Sequence, residues 1–200
     1  KGGHEGVVLL ASGDPTFFGI GRRAVREFSK DMVEIIPDLS CIQIAFSRIK
    51  ESWDDAFLMS LHGGPHPEKR RRLPHEINDI PSLLQRHNKI AILTDKENNP
   101  SEIAKVLSIS PIAHSPLPAM FVCEKLGYPD EKITEGTPEE IAAMSFAEPN
   151  VVIVIKENSL LSFPLVGNPS EKKDSGQAAM TENVTLPISF AINGQEACVY

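Results

Sequence analysis

The sequence predicts an α/β fold with mostly parallel or mixed sheets. Three observations carry this. Short β-rich runs alternate with helical patterns along most of the chain, the signature of strands joined by crossover helices. The run VVLLA (residues 7–11) is apolar throughout, as expected of a strand covered on both faces. It ends in Ser12-Gly13-Asp14-Pro15, a strand-to-helix turn of the kind that meets ligands at the carboxyl edge of such sheets.

The elements follow in order. After VVLLA the spacing predicts a helix with Ile20, Ala24, Val25 and Phe28 on one apolar face. MVEIIP (32–37) reads as the next strand and SCIQIAFSRIK (40–50) as a helix. DAFLMSLH (55–62) reads as a strand, followed by a polar, proline-bearing loop to about Pro81. KIAILTD (89–95) is a strand and NPSEIAKVLS (99–108) its helix. AMFVCEKLG (119–127), EKITEGT (131–137), the helix PEEIAAMS (138–145) and the strand NVVIVIK (150–156) complete the pattern. The alternation pauses at Lys50–Trp53, which divides the chain into domains at 1–52 and 53–156. Residues 157–182, rich in Ser, Gly, Asn and charge, read as linker, and Asn193-Gly194 between two apolar stretches signals a β-hairpin in the tail to residue 200.

Composition narrows the class. Hydrophobic residues at 41% and charged residues at 24% suit an ordinary globular protein. The net charge of −7 argues against a dedicated nucleic-acid binder. No apolar run has the length of a membrane span, and no signal peptide precedes the first strand. Cys41, Cys123 and Cys198 are widely spaced and odd in number, pointing to a reducing, cytoplasmic setting with no metal. A start at Lys-Gly-Gly-His, without methionine, suggests a chain cut from a longer protein.

Within the first turn, Asp14 is expected to cap a helix beginning at Pro15. The free amides there, with Gly13 allowing close approach, would suit an anionic or polar ligand group or simply a well-capped helix. GIGRRA (19–24) satisfies a dinucleotide-binding pattern, with Asp38 near the ribose-binding spacing. Gly19, however, lies eight residues beyond Ala11, whereas that fingerprint begins at the strand end. The stretch reads as a decoy, and a dinucleotide-dependent oxidoreductase stays a rival. His62 and His66 flank Gly63-Gly64 without a converging carboxylate or cysteine in sequence, so His62 reads as a structural or substrate-facing group rather than a ligand. The basic run EKRRRLPH (68–75) is either a solvated face or a dock for a polycarboxylate, which arginine forks match. Asn183-Val184-Thr185 fits a glycosylation sequon by chance.

ASGDPTFFGIGRR, IPDLSCIQIAFSRIKESWDDAFLMSLHG, AILTDKENNPSEIA and CEKLGYPDEKITEGTPEEI…NVVIVI occur in this order. Together they resemble the tetrapyrrole (corrin/porphyrin) methylase family of cobalamin biosynthesis, in its C5-methylating branch, over residues 7 to about 156. The resemblance implies a two-domain α/β fold with S-adenosyl-L-methionine in the cleft between the domains, leaving as S-adenosyl-L-homocysteine. It implies cofactor contacts at Ser12, Gly13 and Asp14, at Ser40 and Cys41, and at Thr94, with His62 facing the tetrapyrrole. The implied reaction is methylation of meso carbon C5 of a precorrin or cobalt-precorrin, with His62 a candidate proton acceptor and no other catalytic residue named. It further implies a homodimer and a separate C15-methylating, decarboxylating domain. The family's opening strand and Gly-x-Gly-Pro-Gly loop have no counterpart here, so the first domain is expected to be incomplete, with a strand edge or apolar face left bare. The rivals are then a non-catalytic fragment or binding module, or a sister methylase acting on RNA or a translation factor.

Overall fold

The computed structural model describes residues 6–63, 73–109 and 117–156, together with the backbone of 188–192 and 195–199. The chain divides into two compact units, Lys1–Leu161 and Ser162–Tyr200.

The first unit contains five α-helices, α1 (Gly21–Phe28), α2 (Cys41–Ile49), α3 (Ile80–Arg86), α4 (Pro100–Ser108) and α5 (Pro138–Ala142), among its described residues. Its strands are β1 (Ala56–Ser60), β2 (Lys89–Leu93), β3 (Ala119–Glu124), β4 (Lys132–Gly136) and β5 (Asn150–Ile155). They form one sheet in the order β1-β2-β5-β3-β4. Only β1 and β2 run parallel; β2·β5, β3·β5 and β3·β4 are antiparallel. The sheet is therefore mixed, the second of the two forms the sequence allows.

Alternate residues of the central strands enter two separate cores. Ile90 and Ile92, Met120 and Val122, and Val152 and Val154 pack with Ile80 and Leu83 of α3, Ile103 and Leu107 of α4, and Ile141 of α5. On the opposite face Ala91, Phe121, Cys123, Val151, Ile153 and Ile155 pack with Ile42, Ala45 and Phe46 of α2. Both faces are covered, which is why β2 and β5 read as unbroken apolar runs rather than as alternation. The helices start where local chemistry directs. Ser40 and Gln43 form a reciprocal capping box at α2, and Thr137 and Glu140 another at α5. Asn99 accepts from Glu102 N at the start of α4, whose first residue is a proline.

Three expectations need correction. Residues 7–11 are not a buried strand: they pair with no strand among the described residues, and Val7 and Leu10 are 95% and 90% exposed. Residues 32–37 likewise stay outside the sheet, with Met32 and Ile36 exposed. In both segments apolar character records a tendency to be covered, and that tendency makes a strand only where a partner edge is present. Asp14 caps a tight turn rather than a helix, because Phe18 takes a positive φ of 53° and the regular helix begins only at Gly21. The sequence pattern also leaves residues 82–88 unassigned: α3 begins at the end of the expected loop, and Pro81 occupies its first turn, a position that lacks an intrahelical acceptor for an N–H in any case.

In the second unit β6 (Ile188–Ile192) and β7 (Gln195–Val199) pair antiparallel, with Ile192 opposite Gln195. The turn residues Asn193 and Gly194 lie outside the described residues, as do His66, the core of the basic run, the linker from 157 and the sequon.

Candidate functional site

The pairing register builds the floor of a cleft. Ser60 lies opposite Leu93, Leu93 opposite Val151, and Val151 opposite Cys123, so one row crosses β1, β2, β5 and β3. These four residues line a cavity of about 460 Å³ at the carboxyl ends of the parallel pair. That volume lies within the range of small-molecule sites, about 300–1,000 Å³, and the position is the usual ligand edge of an α/β sheet.

The first wall comes from the Ser-Gly-Asp turn and the start of α2. Ser12, Asp14, Ser40 and Cys41 line the cleft. Gly13 shapes it from behind: its φ is +63°, and a Cβ there would lie 2.8 Å from the carbonyl oxygen of Leu39. Only glycine lets the turn pass this close to the α2 cap. Gly19 and Gly21 serve a similar purpose, since a Cβ at either would come within 2.7 Å of the Pro15 carbonyl oxygen. That carbonyl accepts from Gly21 N at 2.7 Å. The glycines of GIGRRA are thus used in closing the chain on itself.

Asp14 Oδ1 accepts from the Thr16 amide at 2.7 Å and the Thr16 hydroxyl at 2.6 Å. The Thr16 hydroxyl and amide hold its carboxyl below the usual carboxylate range. Ser40 is buried and committed to the cap: its amide donates to Gln43 Oε1 at 2.9 Å and its Oγ accepts from Gln43 N at 3.3 Å. Asp38 Oδ1 accepts from Leu39 N at 2.7 Å.

The second wall carries His62, Thr94, Asn150 and Tyr128. Thr94 Oγ1 lies 2.6 Å from the Asn150 carbonyl oxygen and 2.7 Å from Asn150 Oδ1, so its single proton is shared between those acceptors and a lone pair remains for a ligand. His62 is exposed between the buried Leu61 and Gly63. Tyr128 stands at the mouth on a turn that needs positive φ at Lys125 (49°) and Gly127 (81°).

Cys41 and Cys123 are both free thiols in this cleft. Burial pushes the Cys41 thiol up. Burial first, then the Glu131 carboxylate and Cys41, push the Cys123 thiol up to about 12. Neither is an activated nucleophile. The cleft therefore combines an apolar, thiol-bearing floor with a few fixed oxygen acceptors and one imidazole. Such a surface suits binding and alignment of a large, partly apolar ligand better than covalent catalysis.

Six of the residues singled out in the sequence line this cleft, Ser12, Asp14, Ser40, Cys41, His62 and Thr94, and Gly13 backs it. Sequence reasoning missed Ser60, Cys123, Tyr128 and Asn150. Ser60, Cys123 and Asn150 converge only through strand register, and the one local signal was Gly127 before Tyr128, a turn with an aromatic beside it.

Residues 1–142 match the family described as Tetrapyrrole (Corrin/Porphyrin) Methylases. The chain is 33% identical over 153 residues to a cobalt-precorrin-7 C(5)-methyltransferase from Salmonella typhimurium, covering 76% of this chain and 67% of that protein. It is 33% identical over 142 residues to a probable cobalt-precorrin-7 C(5)-methyltransferase from Methanocaldococcus jannaschii, covering 70% and 61%. Among solved structures, the native uroporphyrin III C-methyl transferase from Thermus thermophilus superposes with a TM-score of 0.51 at 19% identity, over 72% of this chain and 60% of that one. The fold and the mixed sheet with its ligand edge are those of an α/β methylase domain. The chain belongs to the tetrapyrrole methylase family, and it spans about three fifths to two thirds of the length of these relatives.

Proposed function

We propose that this chain takes part in S-adenosylmethionine-dependent C-methylation of a reduced tetrapyrrole, at meso carbon C5 of a precorrin or cobalt-precorrin in cobalamin biosynthesis. The observation that carries the reading is a single cleft lined by the two methylase-like turns, Ser12–Asp14 and Ser40–Cys41, and by the strand ends at Thr94 and His62.

The residues fit the cofactor. Gly13 lets the turn pass close against Leu39 and Ser40, which brings Ser12 and Asp14 to the cleft beside Ser40 and Cys41 at the start of α2, where polar groups of such a ligand are well received. On this reading Ser12, Gly13, Asp14, Ser40, Cys41 and Thr94 hold it. When bound, it supplies an electrophilic methyl group on a positively charged sulfur. The chain's own work is alignment: the Thr94 hydroxyl would offer a lone pair to that positive charge, and the apolar floor of Leu93, Val151 and Cys123 would limit water. Near-attack placement of this kind is worth up to about 7–11 kcal/mol. His62 faces the macrocycle and takes the proton that the meso carbon loses. The same reading places residues 1–52 in a first domain and 53–156 in a second, and includes a cytoplasmic location, a homodimer and a separate C15-methylating domain. No helix among the described residues is long and apolar enough to cross a membrane.

Calorimetric titration with S-adenosylhomocysteine, with NAD as control, tests the reading. Micromolar binding of the former alone supports it. Binding of NAD in preference would replace it with a dinucleotide enzyme, and binding of neither would leave this chain a non-catalytic piece of the family.

A further inference from the structure

The segment Leu61–Gly63 leaves the end of β1 beside the cleft, and its backbone is held by hydrogen bonds to fixed partners. Leu61 N donates to the Leu93 carbonyl at 2.8 Å, and the Leu61 carbonyl accepts from Asn98 Nδ2 at 3.1 Å. His62 N donates to Ser60 Oγ at 3.3 Å. Gly63 N donates to Asp95 Oδ2 at 2.9 Å. Leu61 and Gly63 are buried, so of the three residues only His62 turns a side chain outward.

Asp95 divides its two oxygens between two tasks. Oδ1 closes its own turn, accepting from Glu97 N at 3.1 Å, Asn98 N at 2.9 Å and Asn98 Nδ2 at 3.4 Å. Oδ2 reaches across, from the end of β2 to the chain leaving β1. The turn needs one acceptor, which an asparagine supplies equally well. The cross-strand bond needs a second acceptor, and a carboxylate is the side chain of this size that has one on both sides.

We infer that Asp95 is a positioning residue for the acceptor end of the cleft: it fixes the backbone of Leu61–Gly63 and thereby the side chain of His62. This rests on the reading that His62 faces the tetrapyrrole. Asp95→Asn separates the two tasks, because it keeps the turn acceptor and sets an NH2 group against the Gly63 amide, donor against donor.

The experiment compares the wild-type chain, Asp95→Asn, His62→Ala and the double variant. Amide exchange followed by NMR should quicken about tenfold at Gly63 in Asp95→Asn, the loss of about 1.4 kcal/mol of protection, while Glu97 and Asn98 change little. Titration with uroporphyrin III, a polycarboxylated tetrapyrrole, should weaken about fivefold in each single variant, on the scale of one hydrogen bond. The double variant should be no weaker than the singles, and S-adenosylhomocysteine affinity should hold within about twofold. A general structural role would instead give additive losses and weaken both ligands alike, which would overturn the inference, as would an unchanged Gly63 amide. If the wild-type chain binds S-adenosylhomocysteine but no tetrapyrrole, the acceptor assignment made here is overturned. If it binds neither, the methyltransferase reading fails, and the Gly63 exchange rate still decides whether Asp95 holds this segment.

Discussion

Arg48 Nε donates to Glu131 Oε1 at 2.6 Å, across 83 positions of sequence. The same carboxylate accepts from Gly127 N at 2.7 Å through Oε2. One ion pair thus ties the last turn of α2 to the turn that carries Tyr128, and so joins two walls of the cleft.

Arg48 holds the Glu131 carboxyl below its ordinary range, helped by the Gly127 amide. A lowered carboxylate pKa stabilises the folded chain above the unfolded value of about 4.3, and that stability is lost as pH falls through the lowered folded value. Glu131→Gln should therefore cost stability at pH 7 and little at pH 3. Because Arg48 is half exposed, the effect should be at most about 1 kcal/mol. Urea unfolding at the two pH values checks it; equal losses at both would contradict the assignment.

Gly13→Ala meets both a positive φ and a 2.8 Å approach to the Leu39 carbonyl oxygen. The turn must move away from α2, at a cost of about 1–3 kcal/mol. Affinity for S-adenosylhomocysteine should fall at least tenfold, read by calorimetry, whereas Gly6→Ala, where a Cβ meets nothing within 4 Å, should change neither stability nor binding.

The Cys123 thiol, pushed up to about 12, should resist iodoacetamide at pH 8 in the folded chain and react fully in urea. The linkage has the opposite sign to that of Glu131. An acid whose folded pKa is raised keeps its proton while the unfolded chain loses it. Its contribution is full below about pH 8.5 and declines as pH rises toward 12. Mass spectrometry of alkylated peptides and alkaline denaturation read the two effects separately.

Lys89 is 4% exposed, donates to the Ser52 carbonyl at 2.8 Å and lies 3.3 Å from both Glu51 Oε2 and Asp55 Oδ1. It opens β2, about 13 Å from Leu93 at the cleft end. Lys89→Met should cost about 3–5 kcal/mol by removing one partner of a buried ion pair with Glu51. Guanidinium unfolding measures this. Cofactor affinity of the folded fraction should be unchanged, and a parallel loss of binding would show that the two ends of the sheet communicate.

Much of this unit from Ser40 onward was legible locally. Caps at Ser40, Asn99 and Thr137 and apolar faces such as Ile103-Ala104-Leu107 carry their meaning within one or two turns, so α2, α4 and α5 and the strands beside them could be read in place. α3 escaped the sequence reading because seven residues opening on Ile80-Pro81 offer too little periodicity to mark a helix, although proline suits a first turn. VVLLA misled because apolarity states what a segment would bury, whereas pairing depends on an edge elsewhere. The cleft split in the same way: turns such as Ser12–Asp14 are local motifs, but Ser60 and Cys123 reach the same site only because four strands share one row.

The sheet order has a consequence for how the chain is made. β5, the last strand of this unit to be synthesised, is also its middle one, hydrogen-bonded to β2 on one side and β3 on the other. Until the ribosome has released Ile155, β1-β2 and β3-β4 are two separate ladders with unfilled inner edges. Completion of the sheet is postponed to the end of this unit's translation, and a stop at any codon before Asn150 leaves two half-sheets without their keystone.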